Sequence, residues 1–203
     1  MHQKTRKLLE RISQKHNGFI TVLEVRKSGI STNTIYRLRD AGEIVCISRG
    51  VYQIVDSDTT PHVSPEYAAI KARIPHAVLC TISALYHHDL TTEIPRTVHL
   101  AIKRNHAIPK IDHPAIQFYR MAETIFSTGI ETKEIGGIMM NIFSPEKTIA
   151  DCFRYRNRLG IELAIEGLKK YLQRPNAKPT KILTMAKICR VKEIIKPYLE
   201  ATV

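Results

Sequence analysis

The side chains with the most specific chemistry in the chain lie within residues 32–37, Thr-Asn-Thr-Ile-Tyr-Arg. An asparagine amide can bond both edge atoms that adenine presents in the major groove of DNA, and an arginine guanidinium can do the same with guanine. On a helix, Ile35 and Leu38 fall on one side, and Asn33 and Arg37 fall on the opposite side. The spacing therefore predicts a helix that buries an apolar side and offers Asn33 and Arg37 to base edges.

The polar residues around this helix suit contacts with the DNA backbone. Tyr36 shares the exposed side, and Thr32 and Thr34 lie in the first turn, where hydroxyls and free backbone N–H groups bind phosphate oxygens. Arg49 lies between two short β-type runs, where a hairpin tip would reach a neighbouring backbone or minor groove. The predicted DNA-binding residues are Thr32, Asn33, Thr34, Tyr36, Arg37 and Arg49.

A different pattern, Asp112 followed by Glu131-Thr132-Lys133, points to an enzyme. Many restriction-type nucleases hold Mg²⁺ with an Asp and a Glu-x-Lys on adjacent strands. The pattern is short, and an exposed strand also alternates charged residues in this way. The adjacent His87 and His88 would point in different directions on a helix, which does not favour a metal site. We predict no catalytic residues, no metal and no cofactor, with a Mg²⁺-dependent nuclease as the alternative.

The elements that must position the polar helix are predicted within the first 55 residues. Apolar spacing predicts a helix over 4–16, and Thr21-Val22-Leu23-Glu24 has the capping-box spacing that starts a second helix at Thr21. Ser31 or Thr32 would cap the third helix, which ends near 41–42. Two β-branched runs, 44–47 and 51–54, flank a glycine-containing loop and predict a hairpin. Three helices and a hairpin describe a winged helix-turn-helix over residues 1–55.

The rest of the chain has mixed character. Residues 56–64 are polar and contain proline, so we expect a linker there. Ser144-Pro145 is a strong helix start, because a cap precedes a proline at the first helical position. Residues 65–203 are predicted to form one domain with helices at 65–73, 79–88, 145–157, 160–173, 180–187 and 189–201, and strands at 97–102, 115–120, 130–135 and 138–143. The predicted fold class is α+β, with a small sheet and C-terminal helices in the second domain.

The charge of +12 is unevenly placed along the chain. Residues 1–55 carry a net +6, residues 56–144 carry −1 and residues 145–203 carry +7. Two basic ends favour polyanions as partners. The late basic residues either form a second anion-binding face or lie on the solvent side of amphipathic helices, and we favour the first. The residues of this second basic face are Arg154, Arg156, Arg158, Lys169 and Lys170.

Cysteine usage and hydropathy limit the location of the protein. The four cysteines lack the close pairing of a zinc site or disulfide framework and are typical of reduced thiols. No signal peptide is evident, and no apolar run approaches the ~20 residues of a membrane span. We expect a cytoplasmic protein with no membrane partner.

Three stretches, in this order, resemble the AbiEi-type antitoxins of type IV toxin–antitoxin systems. They are Arg49-Gly50-Val51-Tyr52, the segment from Ser83-Ala84-Leu85 through Asp89-Leu90-Thr91 to Val98-His99-Leu100, and Ser144-Pro145-Glu146-Lys147-Thr148-Ile149-Ala150-Asp151. The resemblance extends over most of the chain. Asp89 stands where a glycine is expected, a departure confined to a turn.

The resemblance implies a function beyond DNA binding. It implies an N-terminal winged helix that represses its own operon by binding double-stranded operator DNA at inverted repeats. It also implies a C-terminal domain that counters a nucleotidyltransferase-like toxin, with or without direct contact. A ligand-sensing transcriptional regulator is a further alternative.

Overall fold

Residues 3–15, 19–48, 50–55, 64–108, 111 and 113–201 are described by a computed structural model. Contacts between residues divide the chain into two units. The N-terminal unit contains 1–75 and 134–139, and the C-terminal unit contains 76–133 and 140–203. Helices occur together with small sheets, so the predicted α+β class is confirmed.

Three helices open the N-terminal unit: α1 (Gln3–Lys15), α2 (Val22–Lys27) and α3 (Thr32–Asp40). The Thr21 hydroxyl accepts the Glu24 backbone N–H at 3.2 Å, so the predicted cap of the second helix is confirmed. The Ser31 side chain accepts the Thr34 backbone N–H at 3.3 Å, so Ser31 rather than Thr32 caps α3. Each cap satisfies an N–H group that the helix itself leaves without a partner.

A three-stranded antiparallel sheet accompanies these helices, with strands in the order β1 (Phe19–Thr21), β3 (Val51–Ile54) and β2 (Ile44–Ser48). The predicted hairpin is therefore confirmed, and β1 is an element that the sequence did not predict. Residues of all three helices and all three strands meet in one apolar core, which contains Leu9, Ile12, Ile20, Val25, Ile35, Leu38, Ile44 and Tyr52.

Helix α4 (Pro65–Arg73) groups with the N-terminal unit rather than with the C-terminal unit. Residues 134–139 group with it, and the Ser64 N–H donates to the Gly136 carbonyl at 2.8 Å. Gly136 has φ +55°, and a Cβ there would lie 2.6 Å from the Ser64 Cβ, so this close approach requires glycine. Most of the predicted linker, 56–63, lies outside the described residues, and the predicted boundary after residue 55 stays a prediction.

A second sheet has five strands in the order β6-β5-β4-β8-β7, and its first strand in the chain is β4 (Val78–Leu79). Its other strands are β5 (Val98–Lys103), β6 (Ile116–Met121), β7 (Ile130–Ile135) and β8 (Ile138–Phe143). Strands β4 and β5 are antiparallel, whereas β4–β8 and β5–β6 are parallel pairs.

Helix α7 (Pro145–Arg154) is central to the C-terminal unit, because every residue from 147 to 153 is buried. It contacts α5 (Thr81–His87), α9 (Ile161–Leu172), α10 (Pro179–Ile188) and α11 (Lys192–Glu200). Two short helices complete the unit, α6 (Glu123–Phe126) and α8 (Arg156–Leu159). The Ser144 side chain accepts the Lys147 N–H at 3.3 Å, so the predicted helix start is confirmed.

A buried ion pair lies inside α7. The Lys147 ammonium donates to Asp151 at 2.5 Å, and both side chains are fully buried. The ammonium also lies 4.1 Å from the ring centroid of Phe143. Burial raises the pKa of Asp151, and the attraction of Lys147 opposes that shift. Each partner therefore relieves the cost of burying the other.

Among the helices of the described residues, none is long and apolar enough to span a bilayer.

Candidate nucleic-acid interface

Helix α3 separates its apolar and polar side chains by face. Ile35 is fully buried and Leu38 is 6% exposed, whereas Asn33, Tyr36 and Arg37 are exposed. The buried pair anchors the helix to the core of the N-terminal unit. The predicted orientation of α3 is therefore confirmed, and its outer face is open to a partner.

The exposed polar side chains of α3 differ in how far they are already engaged. Asn33 and Arg37 make no side-chain hydrogen bond or ion pair within the described part of the chain. Arg39, by contrast, pairs with Asp40 at 2.7 Å, and its guanidinium lies 5.2 Å from the Tyr36 ring centroid. The donors and acceptors of Asn33 and Arg37 are thus available for a ligand.

The first turn of α3 holds a cluster of hydroxyls. Ser31 and Thr34 hydroxyls lie 3.0 Å apart, and the Thr32 hydroxyl accepts from Arg26 Nε at 3.1 Å. Arg26 of α2 therefore adds a cation at the N-terminus of α3, the end of a helix that favours anions. Arg26 was not predicted, because six residues and a turn separate it from Thr32 and only the folded structure brings them together.

The β2–β3 hairpin lies in the same unit as α3. The Gly50 carbonyl accepts the Val22 N–H at 3.0 Å, which ties the hairpin loop to the start of α2. An open groove of about 680 Å³ has Leu23, Tyr36, Arg39 and Cys46 among its lining residues. Arg49 lies outside the described residues, so its predicted backbone contact stays a prediction.

The three late arginines make different contacts within the C-terminal unit. Arg154 donates to the Cys189 carbonyl at 2.8 Å, and Arg156 donates to the Phe153 carbonyl at 3.0 Å. Arg158 is exposed, with its guanidinium 4.8 Å from the ring centroid of Tyr119. Half-buried Arg154 and Arg156 therefore have roles in holding backbone carbonyls, whereas the Arg158 side chain makes no hydrogen bond within the described part of the chain.

The two lysines of the predicted second basic face lie on α9. Lys169 is exposed, and Lys170 pairs with Glu166 at 3.0 Å. Glu166 also accepts a hydrogen bond from the Thr91 hydroxyl at 2.9 Å, so Lys170 belongs to a local network. The second basic face itself stays a prediction.

Only part of the nuclease-type pattern lies within the described residues. Asp112 lies outside them, and Glu131 and Lys133 line an open cleft of about 610 Å³ with Glu146. Burial and the nearby Glu146 raise the pKa of Glu131. Lys133 donates to the carbonyl of His87 at the end of α5, which is the usual place for a cation at a helix C-terminus. No group of three His, Cys, Asp or Glu side chains that could hold a metal occurs among residues with described positions.

A buried polar cluster in the C-terminal unit was not predicted. The Thr81 hydroxyl lies 2.8 Å from His99 Nδ1, and the Tyr119 hydroxyl lies 3.1 Å from the same atom. Burial lowers the pKa of His99 to about 4. Thr81 is fully buried, so a substrate has no access to its hydroxyl, and the cluster acts in packing.

Comparison with known proteins identifies the class of the N-terminal region. Residues 6–55 match the family model described as "Transcriptional regulator, AbiEi antitoxin". The match includes α2, α3 and both strands of the β2–β3 hairpin. The resemblance to AbiEi antitoxins of toxin–antitoxin systems is therefore confirmed over these residues, and that family is one of transcriptional regulators rather than enzymes.

The fold of the chain also has a structural relative. A crystal structure of the RV2827C protein from Mycobacterium tuberculosis matches with a TM-score of 0.51 and 11% sequence identity. The match covers 95% of this chain and 79% of that chain, and at this identity it shows the fold alone. No curated protein matches the sequence.

Proposed function

We propose that the N-terminal unit is a winged helix-turn-helix that binds operator DNA. Helix α3 enters the major groove, and the β2–β3 hairpin is the wing. The observation that carries this proposal is the outer face of α3, where Asn33 and Arg37 are exposed and have no partner in the described part of the chain. The match of residues 6–55 to a family of transcriptional regulators supports the same assignment.

The chain acts in the cytoplasm as the autorepressor and antitoxin of a toxin–antitoxin operon. Residues 1–55 carry operator recognition, and residues 65–203 counter a nucleotidyltransferase-like toxin. The family description supports the antitoxin role, and the basic ends of the chain support binding to a polyanion.

The autorepressor role is tested by nuclease footprinting of the full chain on its own promoter region. Two protected half-sites of an inverted repeat are expected, one helical turn or a multiple of about 10 base pairs apart. Uniform protection of the whole fragment, or none, would contradict operator recognition.

The antitoxin role is tested by expressing the chain together with the product of the neighbouring gene. Growth that the neighbouring gene arrests should recover with the wild-type chain. It should also recover with Arg37→Ala, because that substitution lies in the DNA-binding helix. Failure of the wild-type chain to restore growth would exclude the antitoxin role and leave operator binding untouched.

The nuclease alternative predicts a different result with the same protein. The repressor proposal expects no cleavage of DNA and no Mg²⁺ requirement for binding. Mg²⁺-dependent cleavage that Lys133→Ala abolishes would favour the nuclease instead.

A further inference from the structure

A small, partly open pocket lies within the N-terminal unit. Its volume is about 170 Å³, and its apolar lining includes Phe19 of β1, Ala68 and Ala72 of α4, and Ile138. An engineered apolar cavity of about 150 Å³ binds benzene, so this cavity has the size for a ligand with one ring or a short chain. The proposed DNA contacts on α3 do not use this cavity.

The charged side chains that line the cavity are all positive. Lys15, at the end of α1, and Lys71, on α4, are the charged residues among the described residues of its lining, and none of these carries a carboxylate. Neither lysine makes a hydrogen bond or ion pair with the part of the chain that the structure describes. Two lysines beside apolar lining residues match a ligand with an apolar body and an anionic head.

We propose that this cavity binds a small amphipathic carboxylate. The apolar body packs between Phe19 and the α4 alanines, and the carboxylate is held by Lys15 and Lys71. The wall formed by Ile138 is held in place because the neighbouring Gly136 carbonyl accepts the Ser64 N–H at 2.8 Å.

The position of the cavity links it to the proposed DNA-binding elements. Strand β1 pairs with the hairpin strand β3, with Phe19 opposite Gln53 and Thr21 opposite Val51. Thr21 also lines the cavity and caps α2. A ligand in the cavity therefore touches the strand that positions both the hairpin and α2, and its effect on operator affinity rests on the proposed function.

The binding site is tested by titrating the full chain with benzoate and hexanoate, followed by backbone amide chemical shifts. Saturable binding is expected for at least one carboxylate, with shifts at β1 and α4. Benzamide has the shape of benzoate without its charge and should bind at least about tenfold more weakly. Equal affinity for benzoate and benzamide, or no saturable binding up to about 10 mM carboxylate, would overturn the proposal.

Two variants separate the apolar and charged parts of the site. Ala72→Leu fills the cavity and should abolish binding of both benzoate and benzamide. Lys71→Met should weaken benzoate about tenfold and leave benzamide unchanged, and its matched control is the exposed Lys187→Met. Lys71→Met changes a half-buried lining side chain, so it tests the site even if Ala72→Leu fails to fold. Unchanged benzoate affinity in Lys71→Met would contradict the assigned head-group site.

The regulatory consequence has its own readout. A saturating carboxylate should change operator affinity at least about threefold in the wild type and not in Ala72→Leu. A ligand shifts DNA binding only when its affinities for the DNA-bound and the DNA-free protein differ. Carboxylate binding without this change would overturn the regulatory role. Absence of operator binding with and without carboxylate would instead overturn the proposed function.

Discussion

On α3, neighbouring arginines have different environments. Arg39 is held by Asp40 and lies over the ring of Tyr36, whereas Arg37 has no partner among the described residues. The free energy of a hydrogen bond to a base is largest when its donor is not already committed elsewhere. Under the proposed function, Arg37 is therefore the side chain on which sequence recognition should depend most, whereas Arg39 is engaged by Asp40 and Tyr36.

The buried His99 should make stability depend on pH. Its pKa is lowered to about 4, below the usual histidine value of about 6.5, so the folded state favours the neutral ring. The contribution of His99 to the free energy of unfolding is present above pH 6.5 and is lost as pH falls toward 4. This contribution falls by about 2 kcal/mol between pH 7 and pH 5. Urea unfolding at these two pH values should show a flatter dependence in His99→Gln than in the exposed control His76→Gln. Identical pH dependence in both variants would contradict the assignment.

The Lys147–Asp151 pair should show strong coupling. Lys147→Met leaves a buried carboxylate without its cation, so the free energy of unfolding should fall by about 3–5 kcal/mol. The double variant Lys147→Met, Asp151→Leu removes both charges and should recover most of that loss. A double-mutant cycle by urea denaturation measures the coupling, and strictly additive losses would show that the pair does not act as a unit.

At the scale of elements, α3 is stabilised by the hydrogen bonds that cap its first turn. Ser31 satisfies the Thr34 N–H, and Arg26 approaches the same turn through Thr32. Ser31→Ala should therefore lower stability by about 1 kcal/mol. Ser31→Asp should keep the cap and the stability, but its carboxylate would repel a phosphate and weaken operator binding. Thermal unfolding and DNA titration of both variants separate these effects, and equal operator affinities would place the phosphate elsewhere.

Elements with regular apolar spacing could be predicted from the sequence, and very short ones could not. Strands β7 and β8 and helix α4 have the predicted bounds, because their patterns persist for six residues or more between clear turn residues. Strand β4, with two residues, and helix α6, with four, are too short to show a period. Helix α7 ends at Arg154 rather than near 157, although the next glycine is Gly160, because the chain bends at Tyr155 before α8 begins.

Some features of the candidate site could likewise be predicted from the sequence, and others could not. The exposure of Asn33 and Arg37 follows from stepping 100° per residue along α3, so local sequence was sufficient. The contact of Arg26 with Thr32 and the pairing of Arg39 with Asp40 depend on side-chain conformations and on packing between helices. Those contacts have no sequence pattern that would have revealed them.

At the scale of the whole molecule, the proposed binding of DNA by two basic ends of the chain predicts an affinity that is sensitive to salt. Each phosphate contact contributes about 0.9 to the slope of log affinity against log salt. Arg158 and Lys169 are the exposed members of the second basic face, and removing them leaves the carbonyl contacts of Arg154 and Arg156 intact. Arg158→Gln, Lys169→Gln should therefore give a shallower slope with unchanged base preference. An unchanged slope would assign both side chains to a solvated surface.

The central claim is that α3 reads operator sequence, and fluorescence anisotropy of the full chain on its own promoter fragment tests it most directly. The reference DNA is a scrambled fragment of equal length and composition. Arg37→Ala should lose about 1–3 kcal/mol of binding free energy on the promoter fragment and little on the scrambled one, because it removes one base contact. The exposed Arg96→Ala is the matched control and should behave as the wild type on both fragments. Promoter affinity and sequence preference that remain intact in Arg37→Ala would contradict recognition through this face of α3.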